Sequence, residues 1–402
     1  MADVQTVASI IFIIILTLFV YFNRKKLDTK FLIPYFLYFS MYKTTWGLKL
    51  MDSLSKRHRK FMIYAGYFGI AIGFIGMIFI SYALMDNIYL LFTKPEATPG
   101  VGLVLPFKAK GVFYVPFFYW IISIFVIAVV HEFSHGLIAR ANNLKVKSSG
   151  FAFLGLIIPI IPAAFVEPDE KELRKRPLKE QLSVFAAGPF SNIAAAFLFL
   201  TIVSFILAPL ANAAIEPNGV KVTDYVKGNL TYPAEIAGLK IGEVIQKVDN
   251  NQILYVENLS KIFRSKMPND VVAVKTDKSS YEIKLAKNPE NESLAYMGAY
   301  LEQSIRIKDS IKATYGEFLP NSVIWFLGLF VILFILNLGI GLFNLVPIGP
   351  LDGGRMLQSV LQRIFGKERG SKVWYYIGMF FLVIIFINIA AGFGLFKIIL
   401  GR

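Results

Sequence analysis

The 402-residue chain contains no cysteine and only three histidines. The absence of cysteine excludes disulfides, thiolate metal ligands and cysteine nucleophiles. Charged residues are also scarce, at 17%, whereas hydrophobic residues make up 55% and the mean hydropathy is +0.57. A chain of this composition, with long uncharged runs, is predicted to be an integral membrane protein and not a large soluble one.

Positive charge is in excess, at +15, and its placement is more informative than its size. Residues 216–317, the largest polar segment, contain 14 basic and 14 acidic residues and are therefore neutral. The excess lies in short segments beside apolar runs, as the positive-inside rule describes. We therefore expect no nucleic-acid partner, and we expect the basic segments 24–60, 140–180 and 355–372 to face the cytoplasm.

Uncharged runs long enough to span a bilayer as helices occur six times. They are 4–23, 61–85, 111–130, 181–215, 318–351 and 373–396. A further run, 148–166, contains glycines and prolines and has basic residues on both sides, so it predicts a re-entrant hairpin. The first run has no basic residue before it and no small-residue cleavage site, which favours a retained helix over a signal peptide. In 216–317, short stretches of alternating apolar and polar residues predict a small β-rich domain.

Two of the histidines belong to the sequence His131-Glu132-Phe133-Ser134-His135. Residues four apart share a helix face, so both imidazoles can reach one metal ion with Glu132 beside them. H-E-x-x-H is the zinc metalloprotease signature, in which the glutamate acts as general base. Ionisable groups at membrane depth are costly and mark functional sites. The pattern predicts a protease-like metal site inside a membrane.

Two histidines do not complete a catalytic zinc site, which usually has three protein ligands and an open position. After Glu317 only two acids remain, Asp352 and Glu368. A second possibility is Glu167, because a downstream glutamate is the third ligand in other H-E-x-x-H enzymes. Glu167 lies in a charged cluster, however, which is more simply read as a solvated rim.

Several segments resemble the site-2 proteases, a family of intramembrane zinc metalloproteases. NLVPIGPLDG at 344–353 is similar to the family motif N-x-x-P-x-x-x-L-D-G, and AGPFSN at 187–192 is similar to A-G-P-x-x-N. The stretch 151–169 resembles the G-A-F-V-E-P-D region of the archaeal and eukaryotic-like branch, with Ala163 where the family often has glycine. Residues 233–245 resemble a PDZ domain of the protease type. The resemblance covers about 111–400.

This resemblance implies that His131, His135 and Asp352 bind one zinc ion per chain and that Glu132 is the catalytic base. It also implies that Asn192 and Asn344 lie near the substrate or the zinc-bound oxygen, although a polar side chain in an apolar helix can simply bond a neighbouring helix. The implied activity is hydrolysis of peptide bonds in transmembrane segments of single-span membrane proteins, after a first cut by another protease.

The expected fold is a membrane α-helical protein of about six spans with a re-entrant hairpin and an inserted PDZ-like domain. Residues 1–110 would hold two helices and a basic cytoplasmic loop. Residues 111–215 would hold the H-E-x-x-H helix, the hairpin and the A-G-P-x-x-N helix. Residues 216–317 would form the external domain and its linker. Residues 318–402 would hold the helix with the Asp352 motif and the C-terminal helix, with the active site toward the cytoplasmic side of the cell membrane.

Two other functions fit parts of this pattern. A membrane receptor or adaptor could bind peptide ends with its PDZ-like domain and carry a vestigial metal site, although the intact metal motifs are evidence against decay. A zinc-dependent transporter would not need a base beside the two histidines.

Overall fold

A computed structural model describes residues 4–33, 37–94, 97–156, 158–226, 232–289 and 291–394. The chain divides into two compact units. The first contains the residues up to Val203 and those from Gly328 onward, and the second is Ser204–Leu327.

Helices make up most of the first unit and also occur in the second. The described residues contain α1 (Val4–Phe22), α2 (Leu48–Arg57), α3 (Arg59–Thr93), α4 (Phe117–Ala141), α5 (Glu170–Leu173), α6 (Leu178–Ile202), α7 (Ala208–Ala214), α8 (Pro233–Ile236), α9 (Val256–Arg264), α10 (Asp309–Tyr315), α11 (Phe318–Phe343), α12 (Asp352–Phe365) and α13 (Lys367–Gly392).

Six stretches of helix in the described part of the chain are long and apolar enough to cross a membrane. They are α1, α3, α4, α11, α13 and the continuous stretch Leu178–Ala214, in which a π-helical turn joins α6 to α7. The prediction of six spans is confirmed. The chain is a multi-pass integral membrane protein.

Small residues allow α3 to pack closely against its neighbours. Gly66, Gly69, Gly73 and Gly76 are buried and recur along one side of the helix. A Cβ added at Gly73 would lie 2.8 Å from Met356 Cε of α12. Glycines spaced in this way let membrane helices approach closely where lipid supplies no hydrophobic driving force.

In the described part of the chain, the strands form two larger sheets and two short pairs. They are β1 (Leu27–Ile33), β2 (Leu37–Thr44), β3 (Leu103–Leu105), β4 (Val112–Tyr114), β5 (Val146–Leu156), β6 (Ile158–Pro168), β7 (Ile215–Tyr225), β8 (Val244–Val248), β9 (Asn251–Gln252), β10 (Val271–Thr276), β11 (Ser280–Lys284), β12 (Ala286–Lys287), β13 (Ala295–Tyr296) and β14 (Ala299–Ile307).

The run 148–166 lies in an antiparallel hairpin, β5–β6, as its glycines and prolines predict. The hairpin is half of a four-stranded sheet with the order β1-β2-β5-β6. The basic segment 24–60, expected to be a loop, supplies the other half and the helix α2. The many Lys and Arg residues of this segment suggested a loop, although the apolar and aromatic residues between them form strands. Strand β6 is therefore an edge of the sheet.

The second unit contains a sheet with the order β11-β10-β8-β7-β14, and β9 pairs with β8. Alternate residues of β10, Val272 and Val274, point into a core that also contains Val220, Leu239 and Ile245. The prediction of a small inserted β-rich domain is confirmed.

The uncharged run 318–351 contains a span, as predicted, but the helix is shorter than the run. Helix α11 ends at Phe343, and α12 begins at Asp352. Between them lies an irregular turn that contains Pro347 and Pro350. Proline removes an amide donor and clashes with the preceding helical turn, so the helix cannot continue through this segment. Asp352 is thus the first residue of a new helix.

Candidate metal centre

Three side chains from two helices bring their ligand atoms together. His131 and His135 project from α4, and Asp352 projects from the start of α12. Asp352 Oδ2 lies 3.1 Å from His131 Nε2 and 3.3 Å from His135 Nε2, and the two nitrogens are 3.1 Å apart. One ligand atom from each residue lies within 4.8 Å of the others. This is the arrangement that a single metal ion requires.

The donors and the space around them fit a metal ion such as zinc. Two imidazoles and one carboxylate match the donor types of catalytic zinc sites with three protein ligands. Gly188 of α6 faces the same nitrogens: a Cβ there would lie 2.4 Å from His135 Nε2 and 2.5 Å from His131 Nε2. The missing side chain keeps the region beside both nitrogens open.

Backbone contacts place Asp352. The N–H of Gly353 donates to the carbonyl of Asn344, at 2.8 Å, which ties the first turn of α12 to the end of α11. A Cβ at Gly353 would lie 2.1 Å from Leu345 O, and a Cβ at Gly354 would lie 2.0 Å from Ile348 O. Any larger residue would push α12 away from this turn. The two glycines after Asp352 therefore set its position.

Hydrogen bonds on the far side of each imidazole set the orientation of the rings. His135 Nδ1 lies 2.7 Å from the carbonyl oxygen of Val184, and His131 Nδ1 lies 3.2 Å from Nδ2 of Asn192. A carbonyl can only accept, so Nδ1 of His135 is the donor, and in the neutral ring Nε2 carries the lone pair.

Glu132 has a different partner. Its Oε2 accepts a hydrogen bond of 2.9 Å from the N–H of Val166 on the edge strand β6. Glu132 is not a member of the ligand cluster found among the described residues. The sequence points to Glu132 but not to Val166, because a backbone amide is present at almost every residue.

Glu167 is not in the ligand cluster found in the described part of the chain, and Asn344 lies in the turn before Asp352. Glu167 Oε2 accepts from Ser148 Oγ at 2.7 Å and lies 3.7 Å from Lys43 Nζ, on a side chain that is 38% exposed. Asn344 is partly buried and contributes its carbonyl to the turn before Asp352. In the sequence, Gly188 is only one residue of the A-G-P-x-x-N motif, and its place beside the imidazoles depends on the packing of α6 against α4.

The helices and the cluster together define a class of protein. A multi-pass membrane protein that gathers the histidines of H-E-x-x-H and a distant aspartate around one point is a membrane metalloprotease. Residues 119–385 match the family model described as Peptidase family M50. The chain belongs to this family, that of the site-2 zinc metalloproteases, and the resemblance seen in the sequence is confirmed.

Relatives of the chain occur in archaea and bacteria. Uncharacterized protein MJ0971 of Methanocaldococcus jannaschii is 27% identical over 93% of this chain and 90% of its own length. Regulator of sigma-W protease RasP of Bacillus subtilis is 23% identical over 55% of this chain and 60% of its own length. A crystal structure of the PDZ domain of an SdrC-like protein from Listeria monocytogenes matches 21% of this chain and 87% of that domain, with 24% identity and a TM-score of 0.18.

Proposed function

We propose that this protein hydrolyses peptide bonds within transmembrane segments of membrane proteins, with one zinc ion held by His131, His135 and Asp352. The observation that carries the proposal is the ligand cluster itself. His131 and Asp352 are 221 residues apart in the sequence, but Nε2 of His131 lies 3.1 Å from Oδ2 of Asp352. A zinc ion bound there would polarise the scissile carbonyl and lower the pKa of a bound water to about 7.

Glu132 is the general base in this proposal. It follows a ligand directly in the sequence, and the N–H of Val166 holds its carboxylate. Glu132 would accept a proton from the attacking water and deliver it to the leaving nitrogen. Asn344, beside the turn that precedes Asp352, would lie near the substrate.

The substrates would be single-span membrane proteins already cut once by another protease. A peptide bond in a membrane helix is enclosed by backbone hydrogen bonds, so the helix must unwind before hydrolysis. The freed backbone groups find no partner in lipid. Strand β6 lies at a sheet edge beside Glu132 and could accept an unwound segment by strand addition.

The proposed orientation follows the charge distribution. The basic segments 24–60, 140–180 and 355–372 would face the cytoplasm, together with the end of α4 that carries His131 and His135. The segment 216–317, neutral overall, would then be external. Its role would be that of a PDZ domain, which screens substrates or binds their ends.

Cleavage and metal content of matched variants test the proposal. Glu132→Gln is expected to abolish cleavage of a reconstituted membrane substrate and to retain about one zinc per chain. His135→Ala and Asp352→Ala are expected to lose zinc and activity together. Glu167→Ala is the control and should retain both.

Two outcomes would contradict these assignments. Full turnover by Glu132→Gln would refute the base. Zinc retained in Asp352→Ala but lost in Glu167→Ala would refute the ligand set. An adaptor with a vestigial site would instead show no cleavage in the wild type.

A further inference from the structure

Asn192 lies in the interior of α6, is fully buried and faces a proposed metal ligand. Its Nδ2 is 3.2 Å from Nδ1 of His131. Its Oδ1 has no hydrogen-bond partner among the described residues. A buried carbonyl oxygen without a partner is costly, so the orientation of this carboxamide affects its energy.

His135 shows how a hydrogen bond can fix the position of the proton on a metal-binding imidazole. A neutral imidazole carries one proton, so the nitrogen that binds a metal must be the one without it. In His135 the carbonyl of Val184 fixes the proton on Nδ1, which leaves Nε2 facing the cluster. Metal-binding histidines usually donate their other N–H to an acceptor in this way.

The polar group at Nδ1 of His131 is the Asn192 carboxamide. A rotation of 180° about the Asn192 Cβ–Cγ bond exchanges the two ends of the amide at nearly the same positions. It would place Oδ1 beside Nδ1 of His131, where it can accept the N–H. The oxygen that lacks a partner then gains one, and the His131 proton is held on Nδ1.

The backbone around Asn192 restricts other positions of this side chain. Gly341 of α11 packs against it: a Cβ at Gly341 would lie 3.2 Å from Asn192 Cβ. Gly341 therefore allows α11 to approach α6 at this residue. The side chain is thus enclosed between two helices and can offer His131 either end of its amide.

We propose that Asn192 is a positioning residue for His131: its Oδ1 accepts the Nδ1–H of that histidine and directs the Nε2 lone pair to the metal. The proposal rests on the metal site of the proposed function. It differs from a role at the substrate or oxyanion, because Asn192 has no exposed surface and contacts the side of the imidazole that faces away from the cluster.

Zinc affinity of the full-length protein in detergent, measured by competition with a chelator, tests this role without reference to activity. Asn192→Leu removes the acceptor and is expected to weaken zinc binding about 10- to 100-fold. Asn192→Asp keeps an oxygen acceptor at the same position and is expected to restore the affinity to within a few-fold of wild type.

The chain offers a matched control in Asn337. This residue is also fully buried in a membrane helix, and its Oδ1 also lacks a partner in the described part of the chain. Its Nδ2, however, donates to Leu333 O of its own helix. Asn337→Leu is therefore expected to leave zinc affinity unchanged. If it weakens zinc binding as much as Asn192→Leu does, the effect is general packing damage and the proposal is wrong.

A second measurement reads the imidazole protons directly. The chain has only three histidines, so a protein labelled with ¹⁵N-histidine gives few signals, and His58→Gln identifies the third. In the zinc-loaded wild type, both His131 and His135 should carry the proton on Nδ1. Asn192→Leu should change the Nδ1 signal of His131 and leave that of His135, whose partner is a backbone carbonyl.

The outcomes separate this proposal from the proposed function. If Asn192→Leu binds zinc like the wild type but cleaves more slowly, Asn192 acts on the substrate and the positioning role is refuted. If the wild type binds no zinc, the proposed function itself fails. Asn192→Ala removes the acceptor without added bulk. If Asn192→Leu does not fold, Asn192→Ala is expected to weaken zinc binding in the same way.

Discussion

Among single residues, Gly188 shows how a metal site depends on the absence of a side chain. The residue lies in α6, while the histidines lie in α4, and the two helices pack so that Gly188 faces both Nε2 atoms. Any Cβ would occupy the region beside both nitrogens. In a membrane helix a glycine usually serves close helix packing. Here it also keeps room for the ion that the ligands would share.

Gly188→Ala is expected to abolish zinc binding because its methyl group would lie about 2.5 Å from both nitrogens. Zinc content after purification, with a folding check by size-exclusion chromatography, measures the effect. Gly378→Ala is the matched control, since that buried glycine of α13 has its nearest atom 3.6 Å from an added Cβ. Zinc bound normally by Gly188→Ala would show that the ion lies elsewhere.

Among the strands, β6 contacts the proposed base Glu132 directly. It is an edge strand, so some of its backbone groups point away from the sheet. One of them, the Val166 N–H, donates to Glu132 instead of to another strand. Hydrogen bonds to charged groups contribute about 1.5–3 kcal/mol. The hairpin β5–β6 therefore helps to hold the proposed base in place.

Val166→Pro removes this N–H and should lower kcat/KM about 10- to 100-fold, with zinc content unchanged. The strand should tolerate the substitution, since proline is accommodated at sheet edges. Val166→Ala, which trims the side chain but keeps the amide, is the comparison in a steady-state cleavage assay. Equal rates for the two variants would mean that the amide contributes nothing to the chemistry.

In the β-rich domain, Asp249 ties the turn after β8 to its neighbours. A hydrogen bond from Lys266 Nζ, at 2.8 Å, and another from the Ala273 N–H, at 2.9 Å, lower the pKa of this carboxyl. A carboxyl with a lower pKa in the folded state stabilises the fold above its unfolded pKa of about 3.9. That contribution is lost as the pH falls through the lowered value.

Amide hydrogen exchange of β10, corrected for intrinsic rates, should therefore show protection that declines below about pH 4 in the wild type. Asp249→Asn removes the titrating group and should show lower protection at pH 6 with a weaker decline. An identical pH profile in both proteins would assign the decline to other carboxyls.

At the scale of the whole molecule, the first and last strands of the sheet in the second unit are paired with each other. Strands β7 and β14 pair along their lengths, and Ile215 lies opposite Ile307. The N–H of Lys308 donates to Ala214 O at 3.0 Å, so the chain enters and leaves the sheet at neighbouring points. A short linker can therefore replace the whole sheet without stretching the flanking helices.

Replacing 215–307 with a short glycine-serine linker is expected to preserve zinc binding and cleavage of trimmed substrates. It should also permit cleavage of substrates that retain a bulky external part, because the domain would no longer screen them. Mass spectrometry of both substrate forms measures this, with Glu132→Gln in the same background as the blank. If the shortened protein binds zinc but cleaves neither form, the domain delivers substrates and does not exclude them.

The sequence by itself determined the membrane helices, the H-E-x-x-H pair and the β-rich character of the inserted domain. These are local properties: bilayer thickness fixes the length of an apolar helix, and one helical turn places His131 and His135 on the same face. The motif identifies Asp352 as a candidate ligand, but no local feature of the sequence brings it close to the histidines.

Only the tertiary structure decided the surroundings of the site. It joined Asp352 to α4, placed Gly188 beside the imidazoles and directed the Val166 amide to Glu132. It also paired β2 with β5 across about a hundred residues, from a segment that looked like a basic loop. These contacts depend on which helices and strands pack together, and many use backbone groups that every residue shares. No pattern along the chain can distinguish such groups before the fold brings them to their partners.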